Sequence, residues 1–429
     1  MLVVKRVPWR LFGVLICVLG LLLSAGCGAE PGGERVEVRF SDVAAGIAGL
    51  EKSDAQDGVY RKPLNVKEPQ ILAVLQEQLV QARPGEPPAD RPRGSFVVSL
   101  KLNDGRKTEQ CPYVYNDLAR EEPGYIRFSD GWYEVPGEFH ALLEALEAYP
   151  DASVNVDPAA ARFLGEYGWT PILRINTLSV NLPPAFVHQP GEYPQVLYWA
   201  YNNELNKDIG LDLTPYLGRK VGVTLYKTVE FLPEFMRPRC EAGRAVVVRH
   251  QGEIVGAWLD AGRHDAFACS LTGRSMGEVT GRTWDEWIPG LIDPADPFER
   301  ELAALTPEEV IEAWFEALGR GDGRTYYALE TRRSQAQRLF SNMDNRFLYN
   351  PGWDNEYLRN VTSARVLSIQ PLERPGLSDS PETLCYGVDV DLQVKQPVTH
   401  GSGPQTRFVT LVRETPETGW RIDGCGTGP

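Results

Sequence analysis

The sequence has few of the residues and motifs on which most enzyme active sites depend. It contains five histidines, whose spacing matches no metal-binding pattern: His140, His188, His250, His264 and His400. No HExxH pair, phosphate-binding loop or dinucleotide-binding glycine fingerprint occurs. The cysteines include no CxxC or other zinc-type spacing. We therefore expect no metal, no cofactor and no enzyme activity that the sequence itself supports.

Positive charge is also scarce. The chain has 44 Lys and Arg against 58 Asp and Glu, which gives a formal net charge of −14. An acidic chain is a poor candidate for binding nucleic acid, which rewards basic patches, and it is repelled by anionic lipid. Hydrophobic residues make up 42% of the 429 residues, enough for packed cores. This length suggests two or three domains.

Long apolar runs are absent except near the N-terminus, where one run predicts an export signal. Three basic residues among the first ten precede an apolar stretch at 11–23, and small residues then lead to Cys27. A stretch of about 13 residues is shorter than the roughly 20 that cross a bilayer as a helix. Cleavage is therefore favoured over a permanent span, and loss of residues 1–26 would lower the net charge to −17.

The segment Leu23-Ser24-Ala25-Gly26-Cys27 resembles a lipobox, although Ser24 stands three places before the cysteine and Leu23 one place further out. The resemblance implies a bacterial lipoprotein of Gram-positive type, with a diacylated Cys27. Two acyl chains hold a protein stably on a membrane, and residues 27–64 would form the tether and lead-in. The alternative is ordinary secretion with an incidental cysteine.

Five cysteines remain once Cys17 leaves with the signal and Cys27 carries lipid. Because five is odd, at least one thiol stays free or pairs with another chain. Disulfides are chemically permitted outside the cytoplasm. We expect Cys240 with Cys269 and, from the polar faces of neighbouring strands, Cys385 with Cys425; the state of Cys111 stays open.

Periodicity predicts an α+β protein of small antiparallel-sheet modules with packed helices. Residues 65–149 show a helix behind Pro69, a hairpin turning at Asp104-Gly105, a second turn at Asp130-Gly131 and a closing helix. Residues 150–288 show a helix capped by Asp157, a strand, an aromatic-rich helix and three more strands. Each range predicts one α+β module.

Three prolines within 289–299 predict a semi-rigid linker over 289–302. A capping box of Thr306 and Glu309 then starts a helix with one apolar face, which Gly319 is expected to end. Two short helices and four strands follow, so residues 303–429 predict a third module.

Two parts of the chain resemble known families. The phrase Thr-Pro-Glu-Glu-Val-Ile-Glu-Ala-Trp-Phe-Glu-Ala-Leu-Gly-Arg-Gly-Asp, at 306–322, is similar to the first helix and turn of the nuclear transport factor 2 superfamily. That resemblance implies a cone-shaped, barrel-like α+β fold for 303–429. Phe163-Leu-Gly-Glu-Tyr-Gly-Trp169, with the runs at 201–205 and 210–218, resembles a domain of unknown function found in secreted lipoproteins. It covers roughly 160–272 and implies no catalytic residues.

Gly273-Arg274-Ser275-Met276-Gly277 matches the nucleophile elbow of serine hydrolases. That motif needs a strand-to-helix turn, with an acid and a histidine later in the chain. The residues after Ser275 are a poor start for a helix, and the only later histidine is His400. A surface loop is therefore favoured, and a secreted hydrolase using Ser275 is the alternative function.

A polar cluster follows the last predicted strand of the second module: Asp260, Arg263, His264 and Asp265, with Cys269 nearby. A histidine can activate a cysteine by lowering the pKa of its thiol, but a disulfide-bonded sulfur cannot attack. We favour a loop with internal salt bridges, and we would look here first for a ligand site in this module.

The third module offers a candidate ligand pocket. Folds of this type often enclose one, and its candidate lining residues are Trp314, Tyr326, Tyr327, Trp353, Asp389 and Asp391. Plain core is the alternative for the aromatic residues, and a solvated sheet face for the two acids. The leading hypothesis is a non-catalytic role at the cell surface, binding a small molecule or a protein partner and no nucleic acid.

Overall fold

The computed structural model describes residues 35–54, 64–89, 94–116, 122–149, 152–153, 155–236, 242–261, 267–340, 356–373, 382–397 and 401–428. Over these residues the chain is an α+β protein with three separate, mainly antiparallel sheets, which confirms the predicted fold class. The signal, Cys27 and the tether up to residue 34 lie outside the described residues. No helix within the described ranges combines the length and apolar character needed to cross a membrane.

The first sheet contains nine short strands within the described ranges. They are β1 (Arg35–Val36), β2 (Ile47–Asp54), β3 (Leu64–Val66), β4 (Arg83–Pro84), β5 (Gly94–Leu102), β6 (Lys107–Thr108), β7 (Cys111–Tyr115), β8 (Gly124–Phe128) and β9 (Gly131–Val135). Helices α1 (Phe40–Ala44), α2 (Pro69–Val80) and α3 (Gly137–Ala148) accompany it. The apolar faces of α2 and α3 pack on the alternating buried residues of β5. The described residues within 35–64, expected to be part of the tether and lead-in, contribute β1, β2 and the start of β3 to the same sheet.

The second sheet is an antiparallel meander of β10 (Pro171–Asn181), β11 (Lys220–Phe231), β12 (Ala242–His250) and β13 (Glu253–Asp260). Helix α4 (Pro158–Gly165) covers one face and α5 (Gln195–Lys207) the other. Because both faces are covered, β12 is buried almost continuously. The predicted hairpin turn is confirmed, since Gln251 and Gly252 both take positive φ, as a type I′ turn requires.

Short helices α6 (Met276–Thr280) and α7 (Trp284–Trp287) and a 3-10 turn (Ile288–Leu291) follow the second sheet. The segment predicted as a linker then contains helix α8 (Pro297–Ala303), capped by the Asp296 carboxylate. Within α8, Glu299 is only 1% exposed and pairs with two buried arginines. This part of the chain is therefore packed into the third module.

The third module consists of α9 (Pro307–Arg320), α10 (Gly323–Ala328), α11 (Arg332–Phe340) and α12 (Glu356–Asn360), then β14 (Val361–Pro371), β15 (Thr383–Val394), β16 (Gly403–Arg413) and β17 (Trp420–Gly426). The four strands form an antiparallel meander, and the apolar face of α9 packs on its inner side. The capping box that predicted α9 is confirmed, with reciprocal Thr306 and Glu309 hydrogen bonds of 2.8 and 3.3 Å. The helix ends two residues later than expected, at a left-handed Gly321.

Candidate functional site

A cavity of about 210 Å³ lies in the third module, between α9 and the end of β17. Trp314 of α9 and Tyr326 of α10 form one wall, with ring centroids 4.9 Å apart and planes within 23° of each other. Further lining residues are Glu330, Ser334, Tyr357, Arg407, Ile422, Asp423, Gly424, Cys425, Gly426 and Thr427. The cavity thus joins an aromatic wall to several polar groups.

Local structure explains how these side chains meet. The turn after α10 is hydrogen-bonded to β17, because Ile422 exchanges backbone hydrogen bonds of 2.8 Å with Leu329 and Thr331. A β-bulge then shifts the pairing of β16 with β17, from Leu411–Ile422 to Thr410–Gly424. The extra residue in a bulge lets a strand redirect its side chains. Ile422 and Cys425, opposite Leu411 and Val409, therefore both reach the cavity side.

The polar groups of the cavity fall into two classes. Asp423 accepts a hydrogen bond of 2.9 Å from the Thr331 hydroxyl, and Glu330 also has a partner. By contrast, the indole N–H of Trp314 is buried and has no hydrogen-bond acceptor within the described part of the chain. Arg407 is 5% exposed and donates to Gln405 Oε1 and to the Thr406 carbonyl, neither of which is charged.

The surroundings of the cavity also perturb two acidic groups. Burial raises the pKa of the Cys425 thiol to about 11, and the nearby Arg407 cation offsets part of that rise. Burial likewise raises the pKa of Tyr357, with a further rise from Cys425 and an opposing effect of Arg407. Arg407 therefore lowers the pKa of both groups.

Of the six residues predicted for this pocket, Trp314 and Tyr326 line the cavity. Tyr327 is buried in the adjacent core and meets Tyr326 edge to face. Trp353 lies outside the described residues. That these residues bind a ligand stays a prediction.

The structure corrects the prediction that Asp389 and Asp391 line the pocket. Asp389 pairs across β15 and β16 with Thr406, and therefore lies on the opposite sheet face from Arg407. Its carboxylate accepts hydrogen bonds from the hydroxyls of Ser368 and Thr406, at 2.8 and 2.7 Å. Asp391, two residues on, shares that outer face and accepts from Gln393 at 2.9 Å.

Sequence reasoning missed Arg407, Tyr357 and Cys425 at the cavity. A signal for Arg407 was present, because it alternates with Val409 and Leu411, the buried side of β16. An arginine in phase with core residues faces inward. The bulge that directs Cys425 into the cavity has no comparable signature in the sequence.

The expected Cys385–Cys425 disulfide is also corrected. Both thiols are free, and their strands β15 and β17 are separated by β16. Cys385 lies opposite Thr410 and Cys425 opposite Val409, so the two sulfurs occupy opposite faces of the sheet. The polar-face assignment failed for Cys425 because the bulge reverses the parity of the strand end.

Cys269 and Cys111 are buried free thiols. Cys269 exchanges backbone hydrogen bonds of 2.9 Å with Leu259, and burial raises the pKa of its thiol well above the usual range. Its expected partner Cys240 lies outside the described residues. A thiol with such a pKa is a weak nucleophile at neutral pH.

Ser275 is the N-cap of α6, and the expectation that no helix starts there is wrong. Its hydroxyl accepts from the Glu278 N–H at 3.3 Å and donates to the Glu278 carboxylate at 2.8 Å. Its backbone is ordinary extended chain, φ −68° and ψ 163°, not a strained elbow. The described hydrogen bonds of Ser275 include no histidine, and His264 and His400 lie outside the described residues.

In the second candidate cluster, Asp260 is buried in an ion pair with Arg244 of the adjacent strand, at 2.6 Å. Both side chains are at most 2% exposed, so this carboxylate serves the interior of the second sheet. Arg263, His264 and Asp265 lie outside the described residues. Elsewhere in the described chain, no group of three or more His, Cys, Asp or Glu could hold a metal ion.

Two family models match the chain. Residues 163–259 match the family described as Domain of unknown function (DUF4830), and residues 308–426 match Domain of unknown function (DUF4829). The first match confirms the predicted resemblance of the middle region to a domain of unknown function, and the second covers the cavity-bearing module. No curated protein and no solved structure shows significant similarity to this chain.

Proposed function

We propose that this chain is a lipoprotein held on the outer face of the membrane through Cys27, where its third module binds a small ligand. The observation that carries the ligand-binding part is the cavity lined by Trp314, whose buried indole N–H lacks an acceptor among the described residues. A buried donor without a partner costs about 1–3 kcal/mol, and a ligand acceptor would recover that cost.

The compartment is supported by the sequence at 1–27, with its basic start, short apolar run and lipobox-like end. Helices followed by a four-stranded antiparallel meander support a cone-shaped domain of the nuclear transport factor 2 type. Folds of this kind leave a cavity between the helices and the curved sheet, where a small ligand is shielded from water.

One experiment tests both parts of the proposal. Intact cells carrying the full chain are treated with a membrane-impermeant maleimide, and each cysteine peptide is then quantified by mass spectrometry. We expect labelling of Cys425, which is solvent-accessible although the cavity partly buries its thiol, but not of the buried Cys111, Cys269 and Cys385. Because the pKa of Cys425 is about 11, labelling should speed up as the pH is raised.

A small-molecule extract of the same cells should slow the labelling of Cys425 if the cavity binds a ligand. Cys425→Ser is the control for the site of labelling, and Cys27→Ala should release the protein from the cell-associated fraction. Labelling of Cys425 only after lysis would refute the outer location. Labelling that no extract slows would refute ligand binding.

The rival function, a secreted hydrolase, requires Ser275 to act as a nucleophile. Its hydroxyl is engaged by Glu278, which favours a structural role. An esterase activity of the purified chain that Ser275→Ala abolishes would establish the rival.

A further inference from the structure

We infer that the cavity recognises the carboxylate of a small planar organic acid, with Arg407 as the cationic partner and the Trp314 indole N–H as a hydrogen-bond donor. This inference rests on the proposed function, because it names the class of ligand for the same cavity. It depends on which groups of the cavity already have partners and which do not.

Two hydrogen-bond donors that line the cavity, Trp314 and Arg407, have no charged acceptor among the described residues. Trp314 is 4% exposed, and its Nε1 has no acceptor in the part of the chain that the structure describes. Arg407 is nearly as buried, and among the described residues its guanidinium meets only the neutral oxygens of Gln405 and Thr406. A buried charge is costly unless an opposite charge faces it. Both groups therefore favour an anionic acceptor.

The carboxylates of Asp423 and Glu330 also line the cavity. Asp423 already accepts from Thr331, and Glu330 already has a partner. A ligand cation would have to compete for these carboxylates and would also lie near the positive charge of Arg407. Like charges in one site repel, so a ligand carboxylate has to bind at Arg407, away from the carboxylates of Asp423 and Glu330.

The shape of the cavity restricts the rest of the ligand. Its volume of about 210 Å³ is below the roughly 300–1,000 Å³ of pockets for drug-sized molecules. Trp314 and Tyr326 stack face to face on each other, so one flat ring face at most is left for a ligand. Flat aromatic walls favour flat, apolar ligand bodies that stack on them. A carboxylate on a single ring fits both requirements.

The test uses three matched probes on the full chain: 4-fluorobenzoate, the neutral 4-fluorobenzamide and the cationic 4-fluorobenzylamine. Fluorine NMR measures the affinity of each, and protection of Cys425 from alkylation shows whether the probe occupies the cavity. We expect saturable binding of the benzoate, at least tenfold tighter than that of the amide or the amine. The comparison on the unmodified protein needs no variant to fold.

Substitutions then measure how much each of the two recognition groups contributes to binding. Arg407→Gln should weaken benzoate binding about tenfold or more, since a charge-assisted contact is lost. Trp314→Phe keeps an aromatic ring but removes the N–H, and should weaken it about threefold to tenfold. Arg413→Gln removes the same charge from an exposed position of β16 and should change the affinity less than twofold. Thermal unfolding of each variant shows that it is folded.

Equal binding of benzoate and amide, tighter binding of the amine, or unchanged affinity in Arg407→Gln would each overturn the inference. If such probes still protect Cys425, the proposed ligand site survives and only the assigned ligand class fails. If no probe binds, the inference also fails, and the extract experiment then decides the proposed function separately. Protection by extract would keep the site, and its absence would remove both.

Discussion

Gly319 shows how a single residue can be mistaken for a helix end when its role is close packing. It lies within α9, and a Cβ built on it would be 2.5 Å from the Ala364 nitrogen of β14. The helix can approach the sheet this closely only without a side chain. The left-handed residue that ends α9 is Gly321 instead.

We expect Gly319→Ala to lower the free energy of unfolding by about 1–3 kcal/mol, because the added methyl group forces the helix away from the sheet. This is the reverse of the usual gain of up to about 1 kcal/mol for Gly to Ala in a helix. Gly165→Ala, at the exposed end of α4 with nothing within 4 Å, is the matched control and should be neutral or stabilising. Urea unfolding measures both, and equal stability of the two variants would contradict the packing role of Gly319.

Helix α8 is joined to the rest of the third module by a buried charge network. Glu299 accepts from Arg332 and Arg421, both at 2.6 Å, and Arg332 also donates to Glu414 at 2.8 Å. All four side chains are at most 3% exposed. Two positive and two negative charges balance, so the network is stable only when complete.

Glu299→Gln should therefore destabilise the protein by about 3–5 kcal/mol, since it leaves two buried arginines without their shared carboxylate. Glu301→Gln changes the same charge on the exposed side of α8 and should stay within about 0.5 kcal/mol of the unmodified protein. Thermal unfolding of the full chain compares them. Similar losses in both variants would show that Glu299 is not an anchor of the third module.

At the scale of the whole molecule, the modules share parts of their cores. Ile172 and Leu173 of β10 pack into the core of the first module, and Ala336 of α11 packs into the core of the second. His188 lies at this second contact, where its backbone N–H donates to the Leu291 carbonyl at 2.7 Å. Its ring is buried, and neither ring nitrogen has a partner among the described residues.

Burial, and then the nearby Arg332 cation, hold the pKa of His188 well below its usual 6.5. Below about pH 6.5, His188 binds a proton in the unfolded chain but stays neutral in the folded chain. The contribution of neutral His188 to the free energy of unfolding is therefore complete above about pH 6.5 and declines as the pH falls. The slope reaches at most about 1.4 kcal/mol per pH unit. His188→Leu should remove that slope between about pH 5 and 6.5, as measured by urea unfolding.

The same charged groups face His188 in both proteins, namely Arg332 with its paired Glu299 and Glu414. Their own titration therefore cancels in the difference between the two curves. Parallel stability curves for His188→Leu and the unmodified protein across this pH range would refute the role of His188.

Much of the fold was predictable because the deciding interactions are local. Thr306 and Glu309 cap α9 across three residues, and Gln251 and Gly252 set a hairpin through their own φ angles. Strand alternation also placed Arg407 in phase with core residues. The cysteine pairing failed for a different reason, since the bulge in β17 depends on how that strand meets β16.

The sequence by itself determined the α+β class, the start of α9 and the aromatic stripe that carries Trp314, because each follows from the spacing of neighbouring residues. Only the tertiary structure decided that Trp314 meets Arg407 in one cavity and that Glu299 joins Arg332 and Arg421. Those contacts join residues from 33 to 122 positions apart. Their formation depends on how the sheet curves over the helices, which no local pattern encodes.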